Sequence, residues 1–233
     1  MCSIQYLAMG SRGDANTDVL ARVFTQVPTG VSTAQQLLQR TSASRGRPVV
    51  AALQSLFPRG GLEPGAIYEC RGQAAVSFAC AAIAASTQDN AWACFFHLSS
   101  LNMHAVADLD VALHRVVSTT CSEHASPSQH AHVLAALVEG FDFVVAKAPR
   151  CTPSAARAIT ARAQRHGSTV LLIGQHSFRT DAVITANATD WMFSDRLVSR
   201  RVHVVFHDRH QYRNREIQVL LPNGCGGINS CTE

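Results

Sequence analysis

Lys147 is the only lysine in the chain, so nearly all fixed positive charge is carried by arginine. Chemistry that places a lysine on phosphate oxygens has one residue to draw on. Arginine is concentrated towards the C-terminus, where Arg196, Arg200, Arg201, Arg209, Arg213 and Arg215 share a short stretch with only Asp195, Asp208 and Glu216 nearby. Such a set can attract phosphates or an acidic protein surface. It can equally be a solvated sheet edge whose charge blocks aggregation. Trp191 and Tyr212 are the aromatics placed to stack there, too few to support sequence-specific reading of DNA. His203, His207 and His210 have no cysteine or carboxylate at a spacing that completes a zinc site, and exposed strand histidines are the expectation. No Gly-x-Ser-x-Gly elbow and no Cys-x-x-Cys pair occurs. The residue types therefore predict no metal, no cofactor and no hydrolase chemistry.

The elements that must position these residues alternate between strand and helix. Ala66 to Cys70 is a short apolar run after the Pro64-Gly65 turn, Ala74 to Ala85 is alanine-rich and helical, and Ala91 to Leu98 is a second apolar run. A weaker helix over Met103 to Leu113, a run over Arg115 to Ser118 and a helix from His130 to Glu139 follow. Phe141 to Ala146 reads as a buried strand, Ser154 to His166 as a helix closed by Gly167, and Thr169 to Ile173 as another buried strand. Continuous apolar strands separated by helices predict an α/β fold whose mainly parallel sheet is covered on both faces. Val198 to Asp208 and Arg215 to Leu221 flank a polar turn, which predicts an antiparallel hairpin at the sheet edge.

Residues 1–48 are polar and mixed, with a capping box at Ser32 before Leu37 and Leu38, and read as an N-terminal arm with a short helix. The core is expected over 49–222, with a loose tail over 223–233. The 233 residues, 47% of them hydrophobic, suffice for one sizeable core. No apolar run is long enough for a membrane span, and the N-terminus lacks the order of a secretory signal, so a cytoplasmic protein is expected. Cys70, Cys80 and Cys94 lie in apolar stretches and read as reduced core thiols.

The stretch Leu56-Phe57-Pro58-Arg59-Gly60-Gly61-Leu62-Glu63-Pro64-Gly65-Ala66-Ile67-Tyr68-Glu69-Cys70 resembles the GGL-x-x-G-x-hydrophobic-x-E entry to the first core strand of RecA. The order of elements from Val49 to Pro222 is similar to that superfamily. Within it the chain most resembles the ImuA-type accessory factors of damage-induced mutagenesis. That resemblance implies a RecA-like fold and, as partners, an inactive Y-family polymerase homologue and an error-prone replicative-type polymerase. DNA and a second copy are further possible partners.

RecA-type ATPases follow the first strand with a P-loop, whose glycine amides and lysine hold the phosphates. Here that place is held by Arg71-Gly72-Gln73-Ala74-Ala75-Val76-Ser77, shortened and without Gly-Lys-Ser/Thr. The position resembling the water-activating glutamate is Ser99 or Ser100, and Ala146 stands where an aspartate would hold magnesium, with Asp142 too early on its strand. Gln175 resembles the glutamine that couples nucleotide to DNA binding in RecA. Loss of phosphate, metal and water handling together predicts a protein that is not an enzyme and acts by binding partners. The favoured function is a scaffold in error-prone translesion synthesis within the DNA damage (SOS) response. The alternative is a SulA-type cell-division inhibitor binding FtsZ.

Overall fold

The computed structural model describes residues 3–5, 46–122, 124–174, 176, 178–194, 197–209 and 214–231. The helix expected at Ser32, most of the N-terminal arm, and Gln175, Arg196, His210, Tyr212 and Arg213 lie outside the described residues. Along the chain run β1 (Ser3–Gln5), β2 (Arg47–Pro48), α1 (Ala51–Gln54), β3 (Gly61–Leu62), β4 (Ile67–Arg71), α2 (Ala75–Gln88), β5 (Ala93–Phe96), α3 (Met103–Ala107) and β6 (Val116–Thr120). There follow α4 (Pro127–Gly140), β7 (Phe143–Lys147), α5 (Pro153–His166), β8 (Thr169–Ile173), β9 (Ala182–Phe193), β10 (Leu197–Asp208), β11 (Asn214–Leu220) and β12 (Asn229–Ser230).

The fold is α/β, as expected. Among the described residues ten strands form one sheet in the order β1-β6-β5-β7-β8-β4-β9-β10-β11-β12. From β6 to β9 every pairing is parallel; β9, β10, β11 and β12 pair antiparallel. The parallel strands are short apolar runs because both of their faces are buried. Tyr68, Cys70, Phe95 and Val145 face the cluster under α2, while Ile67, Phe96, Val144 and Leu172 face the cluster under α4 and α5. The alanines of α2 let its backbone approach the sheet closely, and Phe78, Ala79, Ala82 and Ile83 are fully buried. Phe57 packs edge-to-face on Tyr68 and Phe206, which are tilted against each other, and this trio, with centroids 5.6–6.2 Å apart, ties the entry stretch to β10.

Local chemistry accounts for the ends of the helices. The helix expected to begin at His130 begins at Pro127, because Ser126 and Gln129 form a capping box with proline at the first turn. Helix α5 starts on the Thr152 cap and closes on Gly167 at φ 70°. The helix expected over Met103 to Leu113 spans only five residues, Met103–Ala107. Asp110 sits at φ 63°, a turn that takes the chain into a short 3-10 stretch, Leu113–Arg115.

The expected C-terminal antiparallel hairpin is present as β10 and β11, and the 12-residue strand β9 before it extends it into a larger meander. In the tail expected to be loose, Asn229–Ser230 pairs with β11, Ile228 is buried, and the Gly227 amide donates to the Asp108 carbonyl. Within the expected arm, Ser3–Gln5 pairs with β6, and Arg47 holds β2 in place by donating to Asp142 and to the Gly167 carbonyl, each at 2.9 Å.

Candidate functional site at the strand ends

In an open α/β sheet, ligands bind outside the carboxyl ends of the parallel strands. That end is built here from Arg71, His97, Lys147 and Gly174. Strand β4 reaches α2 through only Gly72, Gln73 and Ala74. Gly72 adopts φ 94° against the backbone of β9, and a Cβ there would lie 2.3 Å from the Ala186 carbonyl oxygen. The Ala74 amide donates to that same oxygen at 3.0 Å, and Ala75 N–H bonds back to the Gly72 carbonyl at 3.2 Å. Two of the amides that would face a phosphate are thus taken up inside the protein. Ser77 is half-buried in the first turn of α2.

Among the described residues, the other strand ends carry little that handles metal or water. Ala146 is fully buried, and Lys147 is exposed at the end of β7. Asp142 lies at the opposite end of that strand, where it pairs with Arg47 and accepts from the Trp92 amide at 2.9 Å. Ser99 and Ser100 are exposed. His97, ending β5 at φ 58°, packs edge-on against His130 with centroids 5.0 Å apart. Burial, then His130 and Lys147, hold its imidazole below the ordinary histidine range.

Glu69, the glutamate of the entry stretch, is 3% exposed. Its carboxylate accepts from Arg71 Nε at 2.5 Å, and Arg209 approaches it at 3.9 Å. His176 Nε2 lies 3.3 Å away but outside hydrogen-bond alignment. The Phe178 amide donates to His176 Nδ1, so the neutral ring carries its proton on Nε2, towards Glu69. Burial lowers the His176 pKa; Glu69 opposes this, while Arg209 and Arg71 reinforce it. The cluster joins β4, the β8–β9 connection and the end of β10. The sequence marked Glu69 but gave no sign of partners more than a hundred residues away.

The C-terminal arginines do not form one exposed set. Arg200 is 9% exposed, donates from Nε to the Leu221 carbonyl at 2.6 Å, and lies 5.6 Å from the Trp191 ring. Arg215 reaches the Ser55 and Phe57 carbonyls, and Arg209 reaches Glu69. Arg201 is exposed, and its side chain has no partner among the described residues. The expectation that Arg200 is a free surface charge is therefore corrected: neighbouring strand residues point to opposite faces, and Arg200 takes the covered one. His203 lies beside Glu216 and His207 beside Asn214; the described residues contain no group of three or more metal-ligating side chains. Between α4 and α5 runs a groove of about 490 Å3 lined by Ala131, Ala135, Ala155 and Ile159, with Arg150 and Arg162 at its rim.

The family described as MT3502 N-terminal domain matches residues 55–177, just over half of the chain. The fold is similar to the crystal structure of the RadB recombinase, with a TM-score of 0.59 and 12% identity over 78% of this chain and 97% of that one. No curated protein matches the sequence.

Proposed function

Since this chain belongs to the MT3502 N-terminal domain family and has a RecA-like fold, we propose that it is a non-catalytic accessory protein of error-prone translesion synthesis in the DNA damage response. In this reading it serves as a scaffold for an inactive Y-family polymerase homologue and an error-prone replicative-type polymerase. The observation that carries the non-catalytic part is the closed β4–α2 connection, in which Ala74 N–H is bonded to the Ala186 carbonyl and Gly72 abuts the β9 backbone. Opening that loop for a triphosphate would break these contacts, and the loop itself carries no lysine to hold the phosphates, Lys147 ending β7, two strands away from β4. The partners rest on the resemblance, within the RecA superfamily, to ImuA-type proteins.

The test has two arms. Calorimetry with ATP and magnesium is expected to show no binding in the micromolar range; micromolar affinity would overturn the non-catalytic reading. Affinity purification of the tagged chain from DNA-damaged cells is expected to bring down the polymerase subunits. Recovery of FtsZ in their place would replace the scaffold with a cell-division inhibitor.

A further inference from the structure

The groove between α4 and α5 is open because its facing positions are small. Two packed helices of this length, 14 residues each, normally fill the space between them with interlocking ridges of long side chains. Here Ala131, Ala135, Ala155 and Ala158 stand along the seam with Ile159 buried beneath them, and about 490 Å3 is left open. The lining residues span the first turns of both helices, roughly 14 Å by the helical rise. The walls are firm, since Ser126 with Gln129 caps one helix and Thr152 caps the other. A concave apolar floor with a few polar groups at its margin is the ordinary form of a binding site.

The charge at that margin is mostly of one sign. Between Lys147 and Asp181 the chain has five arginines and no carboxylate. Arg150 stands at the mouth of the groove, Arg162 lies further along α5, and Arg165 follows Arg162 on the same stripe of the helix. Glu139 meets Arg162 at 3.3 Å, while Arg150 and Arg165 are exposed and have no partner among the described residues. Counted with Glu123, which precedes α4 and lies outside the described residues, the two helices and their approaches carry four arginines against two carboxylates. We propose that the groove between α4 and α5 is the docking site for a short acidic amphipathic helix of the polymerase homologue, its apolar face on the alanine floor and its carboxylates on Arg150 and Arg165. The choice of partner rests on the scaffold reading. Arginine suits the margin, because its planar fork pairs with a carboxylate while its stem lies along apolar surface. A helix suits the groove better than a strand, because the walls are helices whose backbone groups are bonded internally and offer no edge for a strand to join. Single-stranded nucleic acid fits less well, since no aromatic side chain lines the groove for bases to stack on.

The test uses the purified full chain and the purified polymerase homologue. Ala158→Gln puts a longer polar side chain on the floor without changing charge; it is expected to weaken the complex at least tenfold and to leave its salt dependence as it was. Arg150→Glu with Arg165→Glu is expected to weaken it at low salt and to flatten the salt dependence. The thermal unfolding midpoint should stay nearly unchanged in both, since all three positions are exposed. Folded variants that bind as tightly as the wild type would overturn the groove and leave the scaffold reading standing. Weakening by the arginine pair alone, with Ala158→Gln neutral, would overturn apolar docking. A wild type that does not bind the polymerase homologue would overturn both the groove and the scaffold. Two controls decide between other occupants. Loss of oligo-dT binding in the arginine variant, with polymerase binding intact, would overturn the proposal in favour of nucleic acid. A wild type that sediments as a dimer, with a monomeric Ala158→Gln variant, would overturn it in favour of a second copy.

Discussion

The β4–α2 connection and the end of the β9–β10 hairpin are both places where the chain leaves the sheet, and they are finished in opposite ways. At the first, backbone amides are bonded internally and a glycine lets β9 press against the loop. At the second, large apolar side chains stand in solvent beside Arg201, whose side chain has no partner among the described residues. The same sheet thus ends once in internally bonded backbone and once in exposed apolar side chains.

The largest effect is expected at the closed end. Gly72→Ala would combine a left-handed backbone with a Cβ against the Ala186 carbonyl, a backbone atom that cannot swing aside. A loss of at least about 3 kcal/mol in denaturant unfolding is expected. A tolerated alanine would mean that the loop has room to open, and the contrast between the two regions would weaken.

At the other end, adjacent arginines sharpen the comparison. Arg200→Glu places a carboxylate beside the Leu221 carbonyl in a covered position and is expected to cost about 3 kcal/mol. Arg201→Glu is expected to change stability by less than about 0.5 kcal/mol. Equal effects in thermal or urea unfolding would contradict their placement on opposite faces.

The smallest effect concerns pH. His176 is held below its ordinary range in the folded protein, so the unfolded chain binds this proton more readily. Stability should therefore fall as pH drops below about 6.5, the unfolded histidine value, and be insensitive to this group above it. His97 contributes in the same direction. His176→Gln is expected to flatten the acid limb of a stability profile; an unchanged slope would remove His176 from the account.

Much of the parallel sheet was legible because its strands are continuous apolar runs separated by helices with ordinary caps. Strand β9 was not, since only Ala182, Ile184 and Ala186 mark its buried face and Asn187, Thr189 and Asp190 break up its later half. Asparagine, aspartate and alanine all carry a weak strand signal. The start of α4 was readable from Ser126 and Gln129, but the apolar positions drew the boundary to His130. At the candidate site, the shortened loop was visible as missing residues, whereas its closure by β9 was not. The arginines of β10 and β11 could be counted, but their partners Leu221, Ser55 and Phe57 lie on other elements, and pattern alone does not say which of two adjacent arginines faces inward.

The position of β4 bears on how the chain can be assembled during synthesis. Although this strand is made early, it lies between β8 and β9, with Ile67 opposite Val170 and Tyr68 opposite Ala182. A nascent chain can complete the ladder of β6, β5 and β7 while β4 waits with both edges unpaired, and pairing across such sequence separation is intrinsically slow. The segment matched by the family, 55–177, supplies β8 but stops before β9. A fragment cut at that boundary would expose one flank of β4, a site for aggregation, so the antiparallel meander also acts as an intramolecular guard on the central strand.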